Sequence, residues 1–396
     1  MKISIVGMGM GNDETITKAG DRAILEADFL IGAKRLIGCF PNKKGFDEIY
    51  PEKIVKIVEE NGNYSNIAVL MSGDTGFYSG TKKLLPLLED YDVSVIPGIS
   101  SVQYMASKIK RPWQNVRLVS AHGVKVNILG NVLMSKETFF LTGGEITPKE
   151  IIDELNYFNL GDTIVYVGEN LSLEDEKIKK GLAKDLTGKI FHSLSVVWII
   201  RKDFTELNSY RGSIEDGIFA RDKVPMTKME VRGTIISKMG IKDNDIVYDI
   251  GAGTGSIGIE MALLNKTSKI YAIETNELGV SLIRENRKKF SAYNLKVIEG
   301  MAPRVLDELP RPDKAFIGGS KGNLKEIFSK LMEMNPDVKI VISAIALETL
   351  NEAFCLFKNP EVTQISVSKA KNIAGYNMMM GQNPIYIINE GENIEE

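Results

Sequence analysis

At 396 residues the chain exceeds one typical domain and suits two or three, and its 43% hydrophobic and 26% charged content is ordinary for globular proteins. A net charge of −3 and a pI near 5.8 argue against a nucleic-acid substrate, because neutralising phosphates with a basic surface supplies most of such affinity. Cys39 and Cys355 lie far apart without ligand spacing, which argues against a disulfide framework or a thiolate metal site. The expectations are a cytoplasmic chain with no metal and, lacking an apolar run near the ~20 residues that span a bilayer, no membrane segment.

In chain order, β-branched runs at 2–6, 66–71, 92–96, 116–120, 138–142, 162–167 and 194–200 alternate with helical patterns. Most end in a glycine-bearing turn, as parallel strands do when ligands bind outside their carboxyl ends. Residues 201–223 are charged and lack strand period, so they read as a linker, and the expected domains are 1–205 and 206–396. Thr227-Lys228-Met229-Glu230 reads as a capping box at a helix start. Strands follow at 245–250, 269–274, 295–299, 314–318 and 338–343, with helices near 276–290, 322–334 and 347–357. The closing runs VTQISVSKA and PIYIIN suggest a terminal antiparallel pair.

The strand DIVYDI feeds Gly251-Ala252-Gly253-Thr254-Gly255 and then a helix beginning near Ser256. A dinucleotide fingerprint places its third glycine five residues after the first, where this chain has Ser256. Asp249, two residues before the first glycine, would repel a pyrophosphate but suits a cation bearing an amino group and a sulfonium. Glu274 ends the next strand, where a carboxylate can accept both ribose hydroxyls. Together these favour S-adenosylmethionine over a nicotinamide dinucleotide. Gly300-Met301-Ala302, after the third strand, is either the seat of the adenine ring or an ordinary turn into a helix.

DIGAGTGSIGIEMA, AIETNELGVSLIRENRKKF, EGMAPRVL, AFIGGSKGNLKEI and VPMTKMEV resemble the decarboxylating methyltransferase domain of cobalamin biosynthesis over roughly 215–390. The resemblance implies that Thr227, Gly251 to Gly255, Glu274 and Ala302 contact the methyl donor and that Gly318 and Gly319 line the substrate mouth. AFIGGS stands where nucleic-acid amino-methyltransferases carry an Asn/Asp-Pro-Pro-aromatic clamp, and Asn383-Pro384-Ile385-Tyr386 reads as part of the last strand.

In the first half, ISIVGMGMGND fails the dinucleotide fingerprint, since Asn12 occupies the third glycine position. With GAKRLI, SGDTGFYSG, PGISSVQYMA and SAHG it resembles the tetrapyrrole methyltransferases, in detail their precorrin-7 branch, over roughly 1–203. Gly9-Met10-Gly11-Asn12 stands where that family has Gly-Pro-Gly-Asp, so the proline and the aspartate are replaced. The resemblance implies donor contacts from Ser72, Gly73, Asp74, Ser100 and Ser101, and a Gly7–Gly11 loop, with Gly9 and Gly11, facing the tetrapyrrole. His122 is read either as a candidate catalytic residue or as a satisfied turn histidine, and His192 in FHSLS as a strand position. Met378-Met379-Met380 reads as core packing or as the lining of a macrocycle site.

The implied fold class is α/β: an N-terminal tetrapyrrole methyltransferase fold of two α/β subdomains, then a class I Rossmann-like methyltransferase domain. The order matches the precorrin-6Y methyltransferases, which methylate carbons 5 and 15 of the ring and decarboxylate the ring C acetate. One S-adenosylmethionine per domain and a precorrin or cobalt-precorrin substrate follow, with Lys34, Arg35, Arg304, Lys321, Lys369 and Lys371 as candidates for its carboxylates. A homo-oligomer is implied by the resemblance alone. The alternatives are an RNA or protein methyltransferase with an appended tetrapyrrole-type domain, a non-catalytic donor-binding protein, and a dehydrogenase.

Overall fold

The β-branched runs pair into three five- to seven-stranded sheets and one hairpin in a computed structural model that describes residues 1–202, 204 and 212–391. The first sheet holds β1 (Lys2–Gly7), β2 (Phe29–Gly32), β3 (Lys44–Asp47), β4 (Asn66–Met71) and β5 (Asp92–Ile96) in the order β3-β2-β4-β1-β5, all parallel. The second holds β6 (Arg117–Ser120), β7 (Glu137–Leu141), β8 (Ile164–Glu169), β9 (Lys177–Leu182) and β10 (Ser195–Ile200) in the order β6-β7-β10-β8-β9. Here only β6 and β7 are parallel, which corrects the expectation of parallel strands throughout. The connection from β8 to β9, residues 170–176, is too short for the crossover that parallel neighbours require.

The third sheet takes β11 (Ile246–Ile250), β12 (Lys269–Glu274), β13 (Leu295–Glu299), β14 (Lys314–Ile317), β15 (Lys339–Ala344) and β16 (Pro360–Ile365). Beyond β16 the hairpin β17 (Ser368–Ile373) and β18 (Tyr376–Gly381) projects, and β19 (Ile385–Glu390) returns to the sheet. The order is β13-β12-β11-β14-β15-β19-β16, parallel from β13 to β15 and antiparallel through β19, so the expected terminal antiparallel pair forms. Alternation along these strands fills two cores, one per face: Val247, Ile270 and Ala272 pack on one side, Tyr248, Tyr271 and Ile273 on the other.

The chain divides into two compact units: Met1–Val126, Ser135–Asp153 and Gly161–Asp203 form one, and Asn127–Met134, Glu154–Leu160 and Phe204–Glu396 the other. The expected boundary between 205 and 206 lies outside the described residues. Ile214 to Lys223, read from sequence as linker, are hydrogen-bonded into the second unit. The capping box does not form. The helix Met229–Met239 starts from Lys228, one residue later than the box requires and without a side-chain cap, and Glu230 pairs instead with Lys369 at 2.8 Å. His192 precedes β10 in an exposed turn rather than a strand, its Nδ1 accepting from the Leu194 N–H. Met378, Met379 and Met380 are exposed, not core. Among the described residues no helix is long and apolar enough to cross a membrane.

In the first unit, backbone meets backbone where β1, β4 and β5 end. Gly9 and Gly73 exchange N–H···O bonds of 3.1 and 2.9 Å, and a Cβ on Gly98 would lie 2.4 Å from the Gly73 oxygen and 2.7 Å from the Gly7 carbonyl. Gly98→Ala is therefore expected to cost about 2–4 kcal/mol, the range of overpacking and strain at a site with no room to yield. Urea unfolding monitored by Trp198 fluorescence checks this, and an unshifted midpoint would count against the close approach.

Candidate functional site

The first unit gathers its expected site residues around that glycine contact. Ser72 accepts from the Arg35 guanidinium at 2.7 Å, and Asp74 takes the Gly76 N–H on Oδ1 and the Gly98 N–H on Oδ2 at 2.8 and 3.1 Å. Ser100 caps the helix Ser101–Ile109 in a reciprocal box with Gln103. The Gly9–Asn12 loop carries positive φ at Gly9 and Gly11 and is stapled by Asn12 Nδ2 to the Ser172 carbonyl and by the Ser172 hydroxyl to the Met10 carbonyl. His122 is exposed, its Nδ1 3.4 Å from the Thr142 carbonyl oxygen.

The second unit holds a cavity of about 860 Å³ at the carboxyl ends of β11, β12, β14 and β15. From β11 the chain first builds outward to β13 and then returns to place β14 on the other flank, so the cavity sits at the switch in strand order where open α/β sheets bind ligands. Gly251, Gly253 and Gly255 all have positive φ, and a Cβ on Gly251 would lie 2.6 Å from the Gly319 oxygen. The loops after β11 and β14 thus touch through backbone alone. The expected residues Thr227, Asp249, Gly251 to Thr254, Glu274, Met301, Ala302, Gly318 and Gly319 all line this one cavity. Gly255 is not among its lining; it starts the helix Ser256–Leu264 in the left-handed conformation.

Asp249 is 1% exposed. Its Oδ2 accepts the Gly258 N–H at 2.8 Å, and its Oδ1 has no partner. Burial pushes its carboxyl up to about 7, opposed by the Gly258 N–H and reinforced by the charge of Glu274. The Thr254 hydroxyl, also buried, is likewise without a partner. Glu274 takes the Thr275 and Asn276 N–H groups on Oε1 and the Gly253 N–H on Oε2, so Oε2 keeps the freer acceptor site. The Lys321 ammonium donates to the Thr275 hydroxyl beside it.

Sequence reasoning missed what holds the near wall, residues 224–228. The Arg232 guanidinium, wholly buried, bonds the Ile214 and Thr227 carbonyls, Asp216 Oδ1 at 2.7 Å and Glu260 Oε1 at 2.8 Å, and lies over the Phe219 ring. Asn286 holds both backbone groups of Ala220 and the Thr254 carbonyl, at 2.8–2.9 Å. Residues 214–228 thereby form a strap closed at its base by Arg232 and tied at mid-length to the glycine loop by Asn286. The available signal was a charge inside an apolar helix, Arg232 in MEVRGTIISKM and Glu260 in SIGIEMALL. Asn383, assigned from sequence to the last strand, precedes β19 and lines the cavity with Gln382.

The family described as Precorrin methyltransferase domain matches residues 217–389, and that described as Tetrapyrrole (Corrin/Porphyrin) Methylases matches residues 2–187. A probable cobalt-precorrin-6B C(15)-methyltransferase (decarboxylating) of Saccharolobus solfataricus is 40% identical over 193 residues, spanning 46% of this chain and 97% of the relative. A precorrin-6Y C(5,15)-methyltransferase (decarboxylating) of Sinorhizobium sp is 27% identical over 325 residues, spanning 80% of this chain and 78% of the relative. The crystal structure of precorrin-6Y C5,15-methyltransferase from Geobacter metallireducens, 39% identical, covers 45% of this chain and 95% of its own with a TM-score of 0.43.

Two outcomes follow from the geometry. Because the folded Asp249 holds its proton more tightly than the unfolded one, its contribution to stability is complete below about pH 4 and is lost as pH rises to about 7. Thermal unfolding of the ligand-free protein should show that decline, and Asp249→Asn should flatten it. Asn286→Ala, removing three buried hydrogen bonds, should cost about 1–3 kcal/mol. It should also speed tryptic cleavage after the exposed Arg221 and Lys223; an unchanged cleavage rate would show that Asn286 does not hold the strap.

Proposed function

We propose that this chain, which belongs to the precorrin-6Y methyltransferase family, methylates a precorrin of cobalamin biosynthesis from S-adenosylmethionine, at carbon 5 in its first unit and at carbon 15 in its second, where it also decarboxylates the ring C acetate. The observation that carries the reading is the buried Asp249 carboxylate with one oxygen unpartnered in a cavity that a glycine loop lines. Such a group is costly unless something cationic completes it. The matches over both units weigh against an RNA or protein methyltransferase.

The residues present suit the donor. Asp249 Oδ1 and the Thr254 hydroxyl meet its ammonium end, and Glu274 Oε2 takes a ribose hydroxyl. Met301 and Ala302 flank the adenine, and Gly318 and Gly319 leave the mouth open to the acceptor. The donor supplies an electrophilic methyl carbon, and a tetrapyrrole meso carbon is a nucleophile already. The chain's own work is therefore alignment, which can account for ~7–11 kcal/mol of barrier. Ser72, Gly73, Asp74, Ser100 and Ser101 take the corresponding donor role in the first unit, with Gly9 and Gly11 toward the tetrapyrrole.

Calorimetric titration with S-adenosylhomocysteine tests this. Two sites per chain are expected, one lost on Gly253→Val and one retained. At the second-unit site the bound ammonium selects ionised Asp249, so affinity should hold steady from about pH 7 to 8 and fall by up to roughly tenfold per unit below. Asp249→Asn should remove that slope. A single site overall, or a slope indifferent to Asp249, contradicts the reading.

A further inference from the structure

The hairpin β17–β18 has two unlike faces. Its register sets Lys369 opposite Met380, Lys371 opposite Met378 and Ile373 opposite Tyr376, and opposed residues of an antiparallel pair share a face. The other face carries Ser368, Ala370, Asn372, Asn377, Met379 and Gly381. All twelve residues are exposed, Tyr376 to 76%. A lone two-stranded hairpin is marginal in water, and clustered exposed apolar side chains mark a surface that something covers.

The first face begins at the cavity. Gln382 closes the hairpin base by donating its N–H to the Val367 carbonyl, and Gln382, Asn383 and Ile385 then line the cavity. Lys369 meets Glu230 at 2.8 Å, which turns its face toward the start of the helix Met229–Met239, two residues from Lys228 on the cavity wall. A cavity of about 860 Å³ has the size of one drug-sized ligand. With a donor nucleoside inside, a macrocycle of four pyrrole-derived rings must lie across the mouth.

We infer that the face formed by Lys369, Lys371, Ile373, Tyr376, Met378 and Met380 is the platform on which the second unit holds its tetrapyrrole acceptor. The inference rests on the methylation reading above. Such an acceptor offers a flat apolar ring edged with acetate and propionate carboxylates. Methionine thioethers adapt to an apolar face, the Tyr376 ring adds a stacking surface, and Lys371 makes no ion pair among the described residues. Charge complementarity selects this occupant over a second copy. A two-fold pairing of this face offers Lys371 no acid from the face itself, since the carboxylate beside it, Glu230, already holds Lys369.

Carbon dioxide release by the full chain, given S-adenosylmethionine and either cobalt-precorrin-6B or its metal-free counterpart, tests the platform, since that readout belongs to the second unit alone. Lys371→Glu and the double variant Met378→Ser/Met380→Ser should each raise KM by about tenfold while kcat changes by less than about twofold, the signature of lost uniform binding. S-adenosylhomocysteine affinity should stay unchanged in both, which also shows that they fold. An active parent whose variants keep their KM overturns the platform and leaves the methylation reading standing. A parent that releases no carbon dioxide overturns the reading itself. Sedimentation velocity showing that the variants dissociate an oligomer, with KM rising only below its dissociation concentration, makes the face a contact between copies and overturns the platform too.

Discussion

A buried carboxylate without a full set of protein partners is the constraint on which the second unit is organised. Asp249 is the penultimate residue of β11, at the switch in strand order, and the chain gives it one N–H, from Gly258. That bond dictates sequence seven residues beyond the first glycine of the loop, because a Cβ at Gly258 would stand 2.8 Å from Asp249 Oδ2. Gly279 leaves room for the neighbouring acid, since a Cβ there would lie 2.9 Å from Glu274 Cγ, while its own N–H goes to Asn276 Oδ1. Both acids are brought close to backbone by glycines that sit in helices, where glycine is otherwise unfavourable by about 1 kcal/mol. The fold accepts that cost to keep two acceptors at one end of the cavity.

The first unit solves a related problem differently. There too the loops after three parallel strands converge and touch through glycine backbone, at Gly7, Gly73 and Gly98. Its acid, Asp74, finds a backbone N–H for each oxygen, from Gly76 and Gly98. Asp74 is therefore held by the turn it shapes, with each oxygen still able to accept a second bond, whereas Asp249 Oδ1 has no protein donor at all. Two glycine-rich strand ends in one chain are not duplicates. One fixes its acid with backbone donors, and the other leaves a buried acceptor unanswered.

Much of this was legible from period and punctuation. Strands at 66–71, 92–96, 269–274 and 295–299 fall where apolar runs meet glycine turns, and the cavity draws its lining from the motifs that spacing singled out. What escaped depends on contacts far along the chain. β2 and β3 are four residues each, too short for a period to declare itself, and β3 is held by its neighbour and not by its own apolar content. The capping box failed because the helix starts one residue later than it requires, and Lys369, over a hundred positions away, claims Glu230. Residues 214–223 of the strap looked like linker because their polar composition is answered by Arg232 and Asn286, which local patterning cannot pair with them. The Met378–Met380 run looked like core because hydropathy reports what a side chain prefers, not whether the fold supplies a partner.

Chemistry of this kind places its demand on position. When the transferred group is already electrophilic and the acceptor already electron-rich, a misplacement of about 1 Å matters more than any acid or base. The residues that set position are then those that fix the walls: Arg232, whose guanidinium spans the base of the strap, and Asn286, which ties strap and glycine loop to one another. Both are wholly buried, and neither lines the cavity. A buried guanidinium is tolerable only when its donors are answered, and here two carbonyls and two carboxylates answer them. Loss of any one partner would be felt at the wall that Thr227 helps to form, so the strap holds its shape as a unit or yields as one.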